Sequence, residues 1–198
     1  MADDFVIVQA HPQMISFVDH LQRKNAEALS FYPLSVFERE VSKGRILLGL
    51  FNGQPCGYLY FGALGGVVRC HQVCIEYDAR RKLYGAALVV AMEDMARQHQ
   101  SLSLRLRCGF DLDANQFWLE MGYLCVGVVD GGVRRMRRIN IWQKRFTPGL
   151  FEDIHVTPEI GKTSASVWAR HKQTGIVSQF TRGKRLDDYR HIIVGKDV

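Results

Sequence analysis

The stretch Val73-Cys-Ile-Glu-Tyr-Asp-Ala-Arg80-Arg-Lys-Leu83-Tyr-Gly85-Ala-Ala-Leu88 decides the fold. Its first residues alternate like the end of a strand, three consecutive cations follow, and the small and apolar run from Leu83 onward has the period of a helix. In that order the first main-chain N–H groups of the helix, those of Leu83 to Ala86, lack intrahelical acceptors and have the positive end of the helix dipole behind them. Such a turn suits phosphate. Gly85 permits close backbone approach, and Arg80, Arg81 and Lys82 bring charge that can meet a pyrophosphate. A solvated basic turn before an ordinary amphipathic helix accounts for the same residues, so the rest of the chain has to decide.

Upstream, Phe5 to Gln9 alternates like a short strand, and His11-Pro12 introduces an amphipathic helix carrying Met14, Phe17, Val18 and Leu21. A second helix is expected over Ser35 to Ser42, stopping at Gly44. Strands are expected over Arg45 to Phe51 and Gln54 to Ala63, joined by the hairpin dipeptide Asn52-Gly53, and over Val67 to Glu76. Downstream, a helix from Leu83 to Gln98 turns Leu83, Ala87, Val90, Ala91 and Met95 inward. A strand Leu102 to Arg107 and a short helix Asp113 to Met121 follow, with Asp113 and Gln116 spaced as a capping box and Gly122 placed as a C-terminal glycine. Tyr123 to Val129 and Arg134 to Phe146 complete an antiparallel pair. The order predicts a mixed α/β (α+β) domain over residues 1–148, with a C-terminal extension over 149–198 of undefined role.

With 198 residues, 47% of them hydrophobic, the chain can bury the core of one domain, and its formal charge of +6 favours an acidic ligand or partner. No window approaches the roughly 18 apolar residues of a membrane span, and Met1-Ala-Asp-Asp does not open like a secretory signal, so a cytoplasmic protein without membrane contact is expected. The five cysteines, Cys56, Cys70, Cys74, Cys108 and Cys125, never form Cys-x-x-Cys and read as buried thiols. Cys70, His71 and Cys74 do not easily converge from one strand on a single ion, so no metal is expected.

The opening stretch resembles the acyl-CoA-binding signature of the GNAT family of N-acetyltransferases: a strand, Arg or Gln, two residues, Gly, one residue, Gly or Ala. Asp111-Leu-Asp-Ala114-Asn115-Gln-Phe117-Trp118-Leu-Glu-Met-Gly122-Tyr123 resembles the family's second signature, and the element order over residues 5–146 is similar too. The resemblance implies an acyl-CoA N-acyltransferase fold: a central, mostly antiparallel mixed sheet flanked by helices. It further implies acetyl-CoA or another acyl-CoA as co-substrate, held by Arg80, Arg81, Lys82, Leu83, Tyr84, Gly85 and Ala86 and by Asn115 and Trp118. The main chain around Cys74, Ile75 and Glu76 would hydrogen-bond the pantetheine and polarise the thioester carbonyl.

Two departures stand out. The first glycine of the signature falls on Leu83, tolerable if the turn keeps a negative φ. The tyrosine that often protonates the departing thiolate in the family falls on Trp118, which has no suitable proton; Tyr123, Tyr84 or water are the substitutes. A thiol of pKa about 8.5 lies about 1.5 units above neutrality, so unassisted departure costs about 2 kcal/mol, which catalysis survives.

An acceptor ammonium of pKa about 10.4 is neutral in only about one molecule in a few thousand at pH 7, so a base is needed. Strand alternation puts Gln72, Cys74 and Glu76 on one face, making Glu76 the first candidate, with His71 second for its near-neutral pKa. Asn25, Phe31 and Tyr32, beside Pro33, cluster where an acceptor would approach, to stack on it or to staple the first two helices. The strand Arg134 to Arg145 carries six cations and no acid, Arg134, Arg135, Arg137, Arg138, Lys144 and Arg145, which suits either phosphate tracking or an edge hairpin protected by charge. Acceptors on a small molecule or protein, an amine or base in nucleic acid, a non-catalytic binding module, and a homodimer all remain compatible with the sequence.

Overall fold

The computed structural model describes residues 5–131, 137–146 and 157–158, so most of the expected C-terminal extension, with Arg134 and Arg135, lies outside the described residues. Seven strands form one sheet: β1 (Phe5–Gln9), β2 (Ile46–Phe51), β3 (Gln54–Phe61), β4 (Val67–Ile75), β5 (Ser103–Gly109), β6 (Leu124–Asp130) and β7 (Arg138–Arg145), ordered β1-β2-β3-β4-β5-β7-β6. Every neighbouring pair is antiparallel except β4 and β5. The β2–β3 turn is the one its dipeptide predicts, with Asn52 at φ 49° and Gly53 at φ 77°, both left-handed as a two-residue hairpin requires.

The helices divide between the two faces. On one side α1 (Ile15–Lys24) and α2 (Leu34–Val41) bury Val18, Leu21 and Phe37 against Ile46, Leu48, Tyr58 and Tyr60. On the other, α3 (Tyr84–Gln98) and α4 (Ala114–Glu120) share a core with Leu59, Phe61, Leu104, Leu106 and Trp142. The inner side of α3 differs from the periodic reading: Leu88, Val89, Met92 and Ala96 are buried, while Val90 and Met95 are only partly covered. At the start of the helix the Tyr84 ring stacks flat on Phe5 at 4.0 Å. The expected capping box on α4 does not form; Asp113 is itself helical, at φ −59° and ψ −20°, and its side chain caps nothing. Gly122 does end that helix in the left-handed region, at φ 77°.

Two irregularities position the site. The parallel ladder between β4 and β5 holds only over Val67↔Ser103, Val68↔Leu104 and Arg69↔Arg105, after which the strands separate and each continues to its own end. In addition, Tyr60 pairs with Gln72 but Phe61 pairs with Cys70, so His71 is the extra residue of a bulge in β4.

Candidate active site

The gap between β4 and β5 opens beyond Arg69 and Arg105. Glu76 donates its N–H to the Cys56 carbonyl at 2.8 Å, so by antiparallel alternation Cys74 and Gln72 also bond toward β3, and the main chains of Val73 and Ile75 turn toward the gap. This revises the expected set: the Cys74 and Glu76 amides are committed to β3, and Val73 joins Ile75 as a donor facing the gap. Phe110 donates to the Arg138 carbonyl across the β5–β7 ladder, which by the same alternation turns the main chain of Arg107 toward the gap from the other side.

At its open end the gap meets the turn before α3. The expected negative φ at Leu83 does not hold: Leu83 sits at φ 64° and Arg81 at φ 66°, so the turn keeps the left-handed shape a glycine would provide and bears the strain of two side chains in it. Leu83 caps α3 with no side-chain bond, and the N–H groups of Gly85 and Ala86 find no acceptor among the described residues. Tyr84 contributes only main chain, since its side chain is buried against Phe5 and Phe51 and cannot serve as an acid at the gap. Lys82 places its ammonium 5.0 Å from the Phe51 ring.

Arg80 is held by the protein itself. Its Nε donates to the Ile75 carbonyl at 3.0 Å, its second terminal nitrogen donates to Asn25 Oδ1 at 2.8 Å, and its guanidinium lies 5.6 Å from the Tyr77 ring. Asn25 thereby ties the end of α1 to the turn. Glu76 lies alongside in an ion pair with Lys24 at 3.1 Å.

A second cluster forms further back along β4, on the α1–α2 face. The bulge puts His71 on the same side as Gln72, where strict alternation would have sent it toward α3. Its ring stacks on Tyr60 at 4.7 Å, meets Tyr32 edge-on, and its Nδ1 lies 3.3 Å from the Tyr32 hydroxyl. Burial, with Arg69 nearby, holds the His71 pKa below its ordinary value, so the imidazole is neutral at pH 7. Beneath this cluster, the buried side chains Gln22 and Gln72 bond each other at 3.0 Å. Gln22 also bonds both the N–H and the carbonyl of Tyr32, Gln72 reaches the Ser30 carbonyl, and Tyr58 donates to Gln72 at 2.9 Å. The sequence reading missed Gln22, Gln72 and Tyr60, because nothing local marks two glutamines fifty positions apart as partners. Phe31 stands apart, 57% exposed beneath the Arg23 guanidinium.

Three expected site residues belong to the core instead. Asn115 is fully buried, with its Nδ2 donating to the Gly109 and Leu112 carbonyls and its Oδ1 accepting from Asn140 and Trp142 Nε1, so no part of its amide is left for a ligand. Trp118 packs edge-on against Tyr123 within the same core. Tyr123 is also fully buried, and burial, reinforced by the Glu93 carboxylate, drives its pKa far above the ordinary value, so it cannot serve as the acid.

Among the described residues, Arg137 reaches across the gap. Arg137, at the entry to β7, donates to the Glu27 main-chain carbonyl of the α1–α2 loop at 3.2 and 3.3 Å and lies 3.4 Å from Asp111. Gly109 makes room for it, since a Cβ there would come within 2.8 Å of the guanidinium carbon. Burial raises the thiols of Cys70, Cys74 and Cys108 to about 12 and that of Cys56 to about 11, so none of these is a thiolate nucleophile at neutral pH.

No family model matches the sequence, and no curated protein does either. Solved structures do match. Ard1 from Thermoplasma volcanium superposes with a TM-score of 0.66 at 16% identity, covering 73% of this chain and 99% of that one. NAA60 from Arabidopsis thaliana, in complex with a bisubstrate analogue, gives 0.66 at 11% identity, covering 72% and 98%. The PaiA N-acetyltransferase from Thermoplasma acidophilum, in complex with coenzyme A, gives 0.60 at 12% identity, covering 72% and 99%. With a parted β4–β5 ladder, an uncapped α3 and these neighbours, the chain has the fold of the GNAT N-acetyltransferases.

Proposed function

We propose that the chain is an N-acyltransferase that moves an acetyl or related acyl group from acyl-CoA directly to a primary amine of a small molecule or protein. The observation that carries this reading is the gap beyond Arg69 and Arg105, which runs into the unsatisfied amides at the start of α3. Those amides, with Arg81 and Lys82, would take the pyrophosphate, and the pantetheine would run back along β4 in place of the missing ladder. Neighbours of the same fold in complex with coenzyme A and with a bisubstrate analogue support it.

Polarity along β4 then selects the base. Glu76 lies beside the phosphate turn and is paired with Lys24, whereas the thioester belongs nearer the closed end, where the Val73 amide faces the gap and can stabilise the oxyanion. His71 is two residues from Val73, neutral and oriented by Tyr32. It would accept the ammonium proton, the freed amine would attack the thioester carbon, and the C–S bond of the tetrahedral adduct would break as the adduct nitrogen's remaining excess proton passes through water to the departing thiolate, giving amide and thiol.

The test is thiol release from acetyl-CoA with pooled amines, followed by the pH–rate profile of the native chain and of His71→Gln. The native acid limb should fall at an apparent pKa below about 6.5, because the folded imidazole resists protonation. His71→Gln should lose that limb and about 100-fold in rate with coenzyme A affinity unchanged. An unaltered limb would remove His71 as base, and the absence of any heat on titrating coenzyme A would remove the enzyme.

A further inference from the structure

Three of the described cations of the basic strand, Arg137, Arg138 and Lys144, are employed within the protein. Lys144 is bound to Glu93 at 2.9 Å and to the Met121 carbonyl, Arg138 pairs with Asp130 at 3.3 Å, and Arg137 spans the gap. A different group of arginines is not so employed. Arg69 and Arg105 are direct partners in the last rung before β4 and β5 part, and Arg107 lies two residues further along β5. Val68, Leu104, Leu106 and Cys108 point into the α3 core, so Arg69, Arg105 and Arg107 all point the other way, onto the face that carries His71, and all three are exposed. None of the three forms an ion pair among the described residues; Arg105 donates to Gln143 Oε1 at 2.7 Å.

Two like charges directly opposite each other in a sheet are destabilising, and β4, β5 and β7 contain no acidic residue to offset them. Arg105 stands directly across the rung from Arg69 and Arg107 two residues further along β5, so the three side chains leave one face as an arginine cluster at the closed end of the gap. Arginine, with its planar fork, suits phosphate oxygens.

We propose that Arg69, Arg105 and Arg107 dock a nucleic-acid strand by its phosphates across the closed end of the acyl-transfer gap, so that the acceptor is presented on, or alongside, a polyanion. The proposal rests on the acyl-transfer reading for the chemistry at the gap, but not for the binding itself.

The test is fluorescence anisotropy of a labelled mixed-sequence DNA single strand as a function of salt, with circular dichroism to confirm folding. Three phosphate contacts contribute about 2 to the log–log salt slope, so the affinity they supply falls about 16-fold between about 50 and 200 mM salt. Replacing all three by alanine should flatten the slope by that amount, and replacing all three by lysine should restore it. The proposal is overturned if the alanine variant keeps the native slope, if no binding is seen at about 50 mM salt, or if polyglutamate competes as well as DNA. That last outcome would assign the face to an acidic polypeptide. Calorimetry with coenzyme A on the same samples reports on the enzyme reading separately.

Discussion

Replacing Asn115 with alanine separates a structural role from a ligand-binding one. The side chain bonds Asn140 and Trp142 through its oxygen and Gly109 and Leu112 through its nitrogen. Both carbonyls would keep another donor, since Leu112 N–H bonds the Gly109 oxygen and Asn115 N–H bonds the Leu112 oxygen. Trp142 Nε1 has no such reserve and is fully buried. Leaving that donor unsatisfied costs about 1 to 3 kcal/mol, and losing the other bonds adds about 1 kcal/mol, so the substitution should destabilise the fold by about 3 kcal/mol. Against a total of about 5 to 15 kcal/mol the variant should still fold. Urea unfolding followed by tryptophan fluorescence reads the effect, with coenzyme A affinity measured on the folded variant. A loss below about 1 kcal/mol, or a large fall in affinity at unchanged stability, would refute the reasoning and return Asn115 to the ligand.

Two further outcomes follow from backbone strain and from charge. At Leu83, φ 64° reverses the usual order of small residues, so Leu83→Gly should be more stable than Leu83→Ala by about 1 kcal/mol in urea melts; alanine equalling glycine would contradict the left-handed turn. Glu40 is buried, which pushes its pKa up, but bonds from Arg39, Lys43 and Arg45 prevail and hold it at about 2, below its ordinary 4.5. Its folded pKa is depressed, so its contribution is present above pH 4.5 and is lost as pH falls toward 2. Glu40→Gln should flatten stability across that window, and a variant with the native pH dependence would show that other carboxylates carry it.

Periodicity and turn chemistry made the strand and helix order legible, because Asn52-Gly53 and Gly122 have few alternative conformations and the apolar faces are regular. The phosphate turn was legible from its cations and from the likeness of its spacing, but its shape was not: a leucine in the left-handed region contradicts local preference and is held there by what surrounds it. The bulge at His71 has no mark in Cys70-His71-Gln72, yet it decides which face the imidazole serves. The burial of Asn115, Trp118 and Tyr123 was not legible, since a short helix with polar and aromatic residues and the turn after it do not disclose which side chains turn inward. Nor does the sequence disclose that Arg80 ties the turn to the end of α1 through Asn25.

The three-rung seam between β4 and β5 makes the molecule two leaves sewn together along a short edge. On one face α3 and its core bridge the two leaves, and on the other the Arg137 strap reaches the α1–α2 loop, by a guanidinium on a neutral carbonyl. Whatever threads between the leaves must therefore act as an extra strand as well as a passenger, lending its own amides to bind them. Occupancy thereby adds to the stiffness that the core beneath α3 already gives the sheet.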